Sequence, residues 1–171
     1  MLRSSAIVRS AQFDPTGCYR YHLGRHWQAQ APSLAILMLN PSQADHRRDD
    51  STIRRCMCLA QSWGFGSIAV VNLFAYRTAY PRQLAMVADP IGPDNDRALL
   101  AAADQADRLL LAWGNGGQLH QRHRQVLNLL APYRDRWCAI ALNRTGQPRH
   151  PLYVKADAPL HSWAHLTGAD L

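Results

Sequence analysis

Four short segments of the chain carry side chains that can hold and orient a polar ligand. They are Asn40-Pro41-Ser42; Asn72 with Phe74 and Arg77 after it; Trp113-Gly114-Asn115-Gly116-Gly117; and Asn143-Arg144-Thr145-Gly146, which leads into Arg149-His150-Pro151. A carboxamide sets a donor beside an acceptor, which matches the edge of a nucleobase. A histidine changes charge near neutral pH and can hydrogen-bond a developing negative charge. The planar arginine fork suits phosphate, and Arg47, Arg48, Arg77, Arg144 and Arg149 all fall in expected loops or at element ends. Asn115, Gly116 and Gly117 open an expected helix, where free N–H groups could hold an anion; a tight turn accounts for the glycines equally well.

Acidic residues cluster once, at Asp45, Asp49 and Asp50, beside His46. One of the paired aspartates is expected to cap the helix that follows. The other is expected to hold a loop arginine or to act as a general base, and Asp50 is taken as a catalytic candidate. Together with Asp45 they offer oxygen ligands for a hard cation, but without a fixed ligand spacing. Neither a metal nor a cofactor is therefore expected. His120 and His123 stand three apart on an expected helix and read as a solvent-facing pair.

The elements that must position these residues follow from hydrophobic patterning. Residues 18–27 (CYRYHLGRHW) alternate as a strand, paired with residues 6–10 across the turn Asp14-Pro15-Thr16-Gly17. Continuous apolar runs at 34–39, 67–73, 108–113 and 138–142 read as strands buried on both faces. Between and after them, residues 51–63, 93–107, 118–130 and 160–166 read as helices; in the first, Ile53, Met57 and Ala60 share a face and Gly64 supplies the stop. Strands alternating with helices predict a three-layer α/β fold. Its centre is a mainly parallel four-stranded sheet flanked by helices, with an N-terminal β-hairpin attached. The expectation is one domain over 1–171, its hairpin at about 5–28 and its α/β core at about 33–168. In such a sheet ligands bind beyond the carboxyl ends of the strands, where all four polar segments fall.

Composition narrows the class. The chain has 171 residues, 47% of them hydrophobic, enough for one core. No apolar run approaches the eighteen or so residues of a membrane span. The start, MLRSSAIVRSAQF, is too short in its apolar part for a signal peptide, so a cytoplasmic protein is expected. Cys56 and Cys58 stand two apart in an expected helix and point apart, no CxxC pair exists, and the four cysteines are expected to be reduced and mostly buried. The net charge is +7, carried almost wholly by arginine, since Lys155 is the sole lysine. That balance favours a polyanionic partner, although an arginine-biased composition gives it too. A monomer is favoured and the oligomeric state is otherwise open.

In order along the chain, LMLNPSQADHRRDDSTIRRC, WGFGSIAVVNLFAYR, DPIGPDND, AWGNGG and GQPRHPLY resemble the domain-of-unknown-function 1643 family (DUF1643). That resemblance carries no established activity. A more distant one does. MLNPS, VVNLF, LLAWGN and His150-Pro151-Leu152 are similar, in order and placement, to the motifs of the uracil-DNA glycosylase superfamily. The likeness implies that fold, with Asn40 orienting a water against the sugar's anomeric carbon and Asn72 reading the base. Phe74 would stack on an extruded base, and His150 would stabilise the leaving base anion. Ser42, Trp113 and Asn115 complete the expected ligand-binding set. This chain has Asn40 where the superfamily's most active members carry aspartate, and Leu152 in place of a serine.

Three readings follow. The first is a glycosidase hydrolysing the N-glycosidic bond of a modified or deaminated base, in DNA or in a nucleotide, with nucleic acid, most naturally DNA, as its partner. The second is a binding module that recognises such a base or nucleotide without cutting. The third is a metal-assisted hydrolase built on Asp45, Asp49 and Asp50.

Overall fold

The structure is a computed structural model, and residues 6–168 are described. The outer bounds of the expected domain, including the hairpin's expected start at residue 5, lie outside the described residues. The elements run β1 (Val8–Phe13), β2 (Arg20–His26), β3 (Ser33–Met38), α1 (Ser51–Ser62), β4 (Ser67–Asn72), α2 (Asn95–Gln105), β5 (Arg108–Leu111), α3 (Arg122–Leu129), β6 (Trp137–Ala139), β7 (His161–Ser162) and α4 (Trp163–Thr167).

The seven strands of the described residues form one mixed sheet in the order β1-β2-β4-β3-β5-β6-β7. β3 pairs in parallel with β4 and β5, and β5 with β6. The β1–β2, β2–β4 and β6–β7 pairings are antiparallel. The expected four-stranded sheet is thus corrected to seven strands. The hairpin is not an appendage: Leu23 lies opposite Val70, so β2 extends the sheet beyond β4. The alternation of residues 18–27 marked a strand; which further neighbour it would meet was not a local property.

The double burial of the central strands has a direct cause. In β3, Leu34, Ile36 and Met38 pack in one core with Ile53, Cys56, Met57 and Ala60 of α1. Ala35 and Leu37 pack on the other face with Leu99, Ala102 and Ala103 of α2 and Val126 of α3. Alternate residues of one strand thus feed two cores, and the run reads as continuously apolar.

α1 has well-formed ends. Asp50 is its N-cap, with its side chain accepting the Ile53 N–H at 2.9 Å. At the other end Gly64 takes φ +85, Gly64 N–H donates to Gln61 and Phe65 N–H donates to Ala60, a Schellman closure.

The expected helix over 118–130 breaks. A 3₁₀ stretch over Asn115–Gln121 precedes α3, and His120 and Gln121 both have positive φ. His120 and His123 therefore share no helix face, a correction of the expected pair. The break turns Arg122 inward, where its Nε donates to the Leu73 carbonyl at 2.9 Å and its Nη2 pairs with Asp96. The last expected helix starts later, with β7 taking its first residues and Ser162 capping α4. The thiols also depart from expectation: Cys56 and Cys138 are buried, but Cys18 and Cys58 are exposed.

Candidate functional site

A cavity of about 440 Å³ opens beyond the carboxyl ends of β3, β4 and β5, closed on one side by the segment around His150. Asn40, Ser42, Asp50, Asn72, Trp113, Asn115 and His150 all line it. These residues are separated widely in sequence and meet because each follows or ends a parallel strand, or caps the helix after one.

Asn72 ends β4 and is 1% exposed. Neither its Nδ2 nor its Oδ1 has a hydrogen-bond partner among the described residues. Leaving a buried polar group unpaired costs about 1–3 kcal/mol, so both atoms suit a polar partner that enters the cavity. Asn95 and Arg122 fix the backbone that carries it. Asn95 Nδ2 donates to the backbone carbonyls of Asn72 and Leu73, each at 3.0 Å, and Arg122 Nε binds the latter as well. Neither residue stood out in the sequence, since both lie on helices that reach β4 only in the fold.

Asn40 is held differently. Its Nδ2 donates to the Pro41 and Thr78 carbonyls at 3.0 and 2.9 Å. Two carbonyl partners fix which end of the amide is the donor, and Oδ1 remains as an acceptor. His150 Nδ1 accepts the Leu152 N–H at 3.1 Å, so a neutral ring carries its proton on Nε2. Burial pushes the His150 pKa below its ordinary value, and Asp50 opposes that shift. Trp113 is core-buried, with Nε1 donating to Gln147 Oε1 at 2.7 Å. Asn115 Oδ1 accepts from Asn143 Nδ2 and Thr145 Oγ1 at 2.9 and 2.7 Å. These two residues tie the β5 and β6 loops together at the cavity wall.

Arg20, Thr52, Thr78 and Tyr153 line the cavity too and were not singled out in the sequence. Arg20 sits within an alternating strand, where spacing says nothing of what lies above it. It is 3% exposed, and burial lowers its pKa to about 10, with Asp50 opposing.

The structure leaves other candidates out of the cavity. Phe74 is fully buried in the core with Leu84 and Leu99 and offers no face to a base. Arg77 lies over the Phe13 ring, 4.7 Å from its centroid, and donates to the Gly17 carbonyl at 3.0 Å. Arg149 donates to Asn143 Oδ1 at 3.2 Å and borders a separate hollow with Ile140 and Lys155. Arg47, Arg48 and Arg144 are exposed away from the lining. A side chain on Gly117 would meet the Trp113 ring at 2.2 Å, so that glycine answers a packing need.

The aspartates serve separate purposes. Asp45 Oδ1 accepts the N–H groups of Arg47 and Arg48, Asp49 pairs with Arg25 and Arg9, and Asp50 caps α1. Among the described residues no cluster of three His, Cys, Asp or Glu ligands is placed to hold a metal ion. Among the described residues no helix is long and apolar enough to cross a membrane.

No curated protein and no solved structure matches this chain. The profile of one family, described as a protein of unknown function (DUF1643), matches residues 20–152. That span holds the sheet centre and every cavity residue from Arg20 to Leu152, and the chain belongs to the DUF1643 family.

Proposed function

We propose that this protein hydrolyses the N-glycosidic bond of a modified or deaminated base, in DNA or in a nucleotide. The observation that carries the reading is the unpartnered Asn72 amide, buried and lining a cavity that also receives Asn40 and His150. A lactam edge, an N–H beside a carbonyl, satisfies both of its atoms at once. Asn40 Oδ1 positions a water against the anomeric carbon. As the C–O bond forms and the C–N bond breaks, the water's proton passes to Asp50, and the base leaves as an anion. Nε2–H of neutral His150 donates to that anion. The proposed ancestry is a uracil-DNA glycosylase-like fold, supported by the order of the motifs and by the cavity's place beyond the parallel strands.

Mass spectrometry of base released from duplex and single-stranded oligonucleotides, and from nucleotides, carrying modified bases tests this. Release that disappears in Asn72→Ala and Asn40→Ala is expected. Tight binding without release across the panel would instead establish a recognition module. One observation favours that second reading: both Asn40 N–H bonds go to backbone carbonyls, so the residue also serves as a turn lock.

A further inference from the structure

Three arginines of the described residues are buried. Arg25 pairs with Asp49 at 2.7 Å, and Arg122 pairs with Asp96. Arg20 alone makes no ion pair among the described residues. Its Nη1 donates to the Ala44 carbonyl at 2.9 Å, and its Nε is buried with no partner among them. A buried cation normally has a counter-charge. Arg20 lines the same cavity as Asn72.

Its surroundings suit an oxyanion. The first turn of α1, a helix of twelve residues, borders the cavity through Thr52 and Ile53, with Asp50 as its N-cap. That end carries partial positive charge. Asp50 is the one carboxylate in the lining, and its Oδ1 is already spent on the Ile53 N–H. Ser42 and Thr78 add hydroxyl groups.

We propose that Arg20 and the N-terminal turn of α1 form a phosphate subsite inside the cavity, so that the ligand is recognised by a phosphate as well as by its base. This deepens the nucleobase reading and rests on it for the base. The arginine's planar fork is the preferred partner of phosphate oxygens. A cavity of about 440 Å³ falls in the range that encloses a small ligand. The phosphate could be the terminal group of a free nucleotide or a phosphodiester flanking an extruded base.

The first probe is inorganic phosphate, which needs no knowledge of the base. It is titrated into wild type, Arg20→Gln, Arg20→Lys and Arg124→Gln while affinity is measured by calorimetry. The Arg20 Nε–H resonance is followed in wild type by nitrogen-edited NMR. Saturable movement of that resonance is expected. Kd should rise about tenfold or more in Arg20→Gln, the worth of a hydrogen-bonded charge, and stay within about threefold of wild type in Arg124→Gln, whose arginine is exposed on α3 outside the lining. A static resonance in wild type, or unchanged affinity in a folded Arg20→Gln, overturns the subsite. If Arg20→Gln does not fold, the wild-type resonance and Arg20→Lys decide, with weaker binding expected in the latter.

Competition then identifies the source. Displacement of phosphate by nucleoside 5′-monophosphates but not by nucleosides indicates a free nucleotide. Displacement by short oligonucleotides without terminal phosphate indicates a strand. Displacement by nucleosides alone counts against the subsite. Phosphate bound through Arg20 with no base released anywhere would leave the subsite standing and remove the hydrolase reading; base release indifferent to Arg20 would do the reverse.

Discussion

Asn72 carries two hydrogen-bonding atoms into the interior and pairs neither within the described residues. A structural asparagine in that position would be a poor choice, because leucine fills similar space without desolvating a polar group. Asn72→Leu is therefore expected to leave thermal stability unchanged or to raise it, while base release or ligand binding falls at least about a hundredfold. A loss of more than about 1 kcal/mol in denaturant unfolding would make Asn72 a structural residue instead. Histidines give a second test at this scale. Burial lowers the pKa of His150 and of His22 below the ordinary value of 6.5, with Arg20 adding to the effect on His22. Between the lowered values and 6.5 the unfolded chain binds more protons than the folded one, so stability falls as pH drops through that window. Denaturation midpoints from about pH 7.5 to 5 should decline, and the slope should flatten in a His22→Gln, His150→Gln double variant.

Helix α1 does two jobs through one residue. Asp50 caps it and also faces the cavity beside His150. The two roles separate chemically, because serine caps a helix about as well as aspartate but is no base at neutral pH. Asp50→Ala is expected to cost about 0.5–2 kcal/mol of stability. Asp50→Ser should recover most of that cost and yet remain impaired in base release. If Asp50→Ser turns over like wild type, Asp50 is a cap alone. The polar segments at the strand ends were legible because an apolar run followed by Asn, Ser or Gly marks where a buried strand meets solvent. The break before α3 was not. The periodicity of residues 118–130 suits a helix, and the inward turn of Arg122 toward Leu73 and Asp96 is a tertiary demand.

Across the whole molecule, the hairpin is locked to the β3–α1 loop by one buried ion pair. The Arg25 side chain is 0% exposed, and its guanidinium meets Asp49 while donating also to the Gly24 and Asp45 carbonyls. Asp49→Ala strands that charge in the core, with an expected cost of about 3–5 kcal/mol in chemical denaturation. An Arg25→Met, Asp49→Leu double variant should recover much of it. Little recovery would show that the backbone contacts of Arg25, rather than the pair, hold the loop. The same loop carries Ala44, the acceptor for Arg20, so loosening it is expected to weaken ligand binding too.

Sequence alone determined the parallel-strand elements, the stop of α1 and a cap at one of two aspartates, and it set Asn40, Asp50, Asn72 and His150 at the strand ends, where all four line one cavity. Those features depend on local pattern, and on the rule that ligands gather where parallel strands end. Only the tertiary structure decided that the hairpin widens the sheet to seven strands, that Phe74 is core, and that the loop arginines turn away from the cavity. It also decided that Arg20, rather than any of those, is the cation inside. Which side chain meets which depends on the lateral order of strands and on the burial that order creates. Both arise from long-range packing, which leaves no mark on the spacing of residues along the chain.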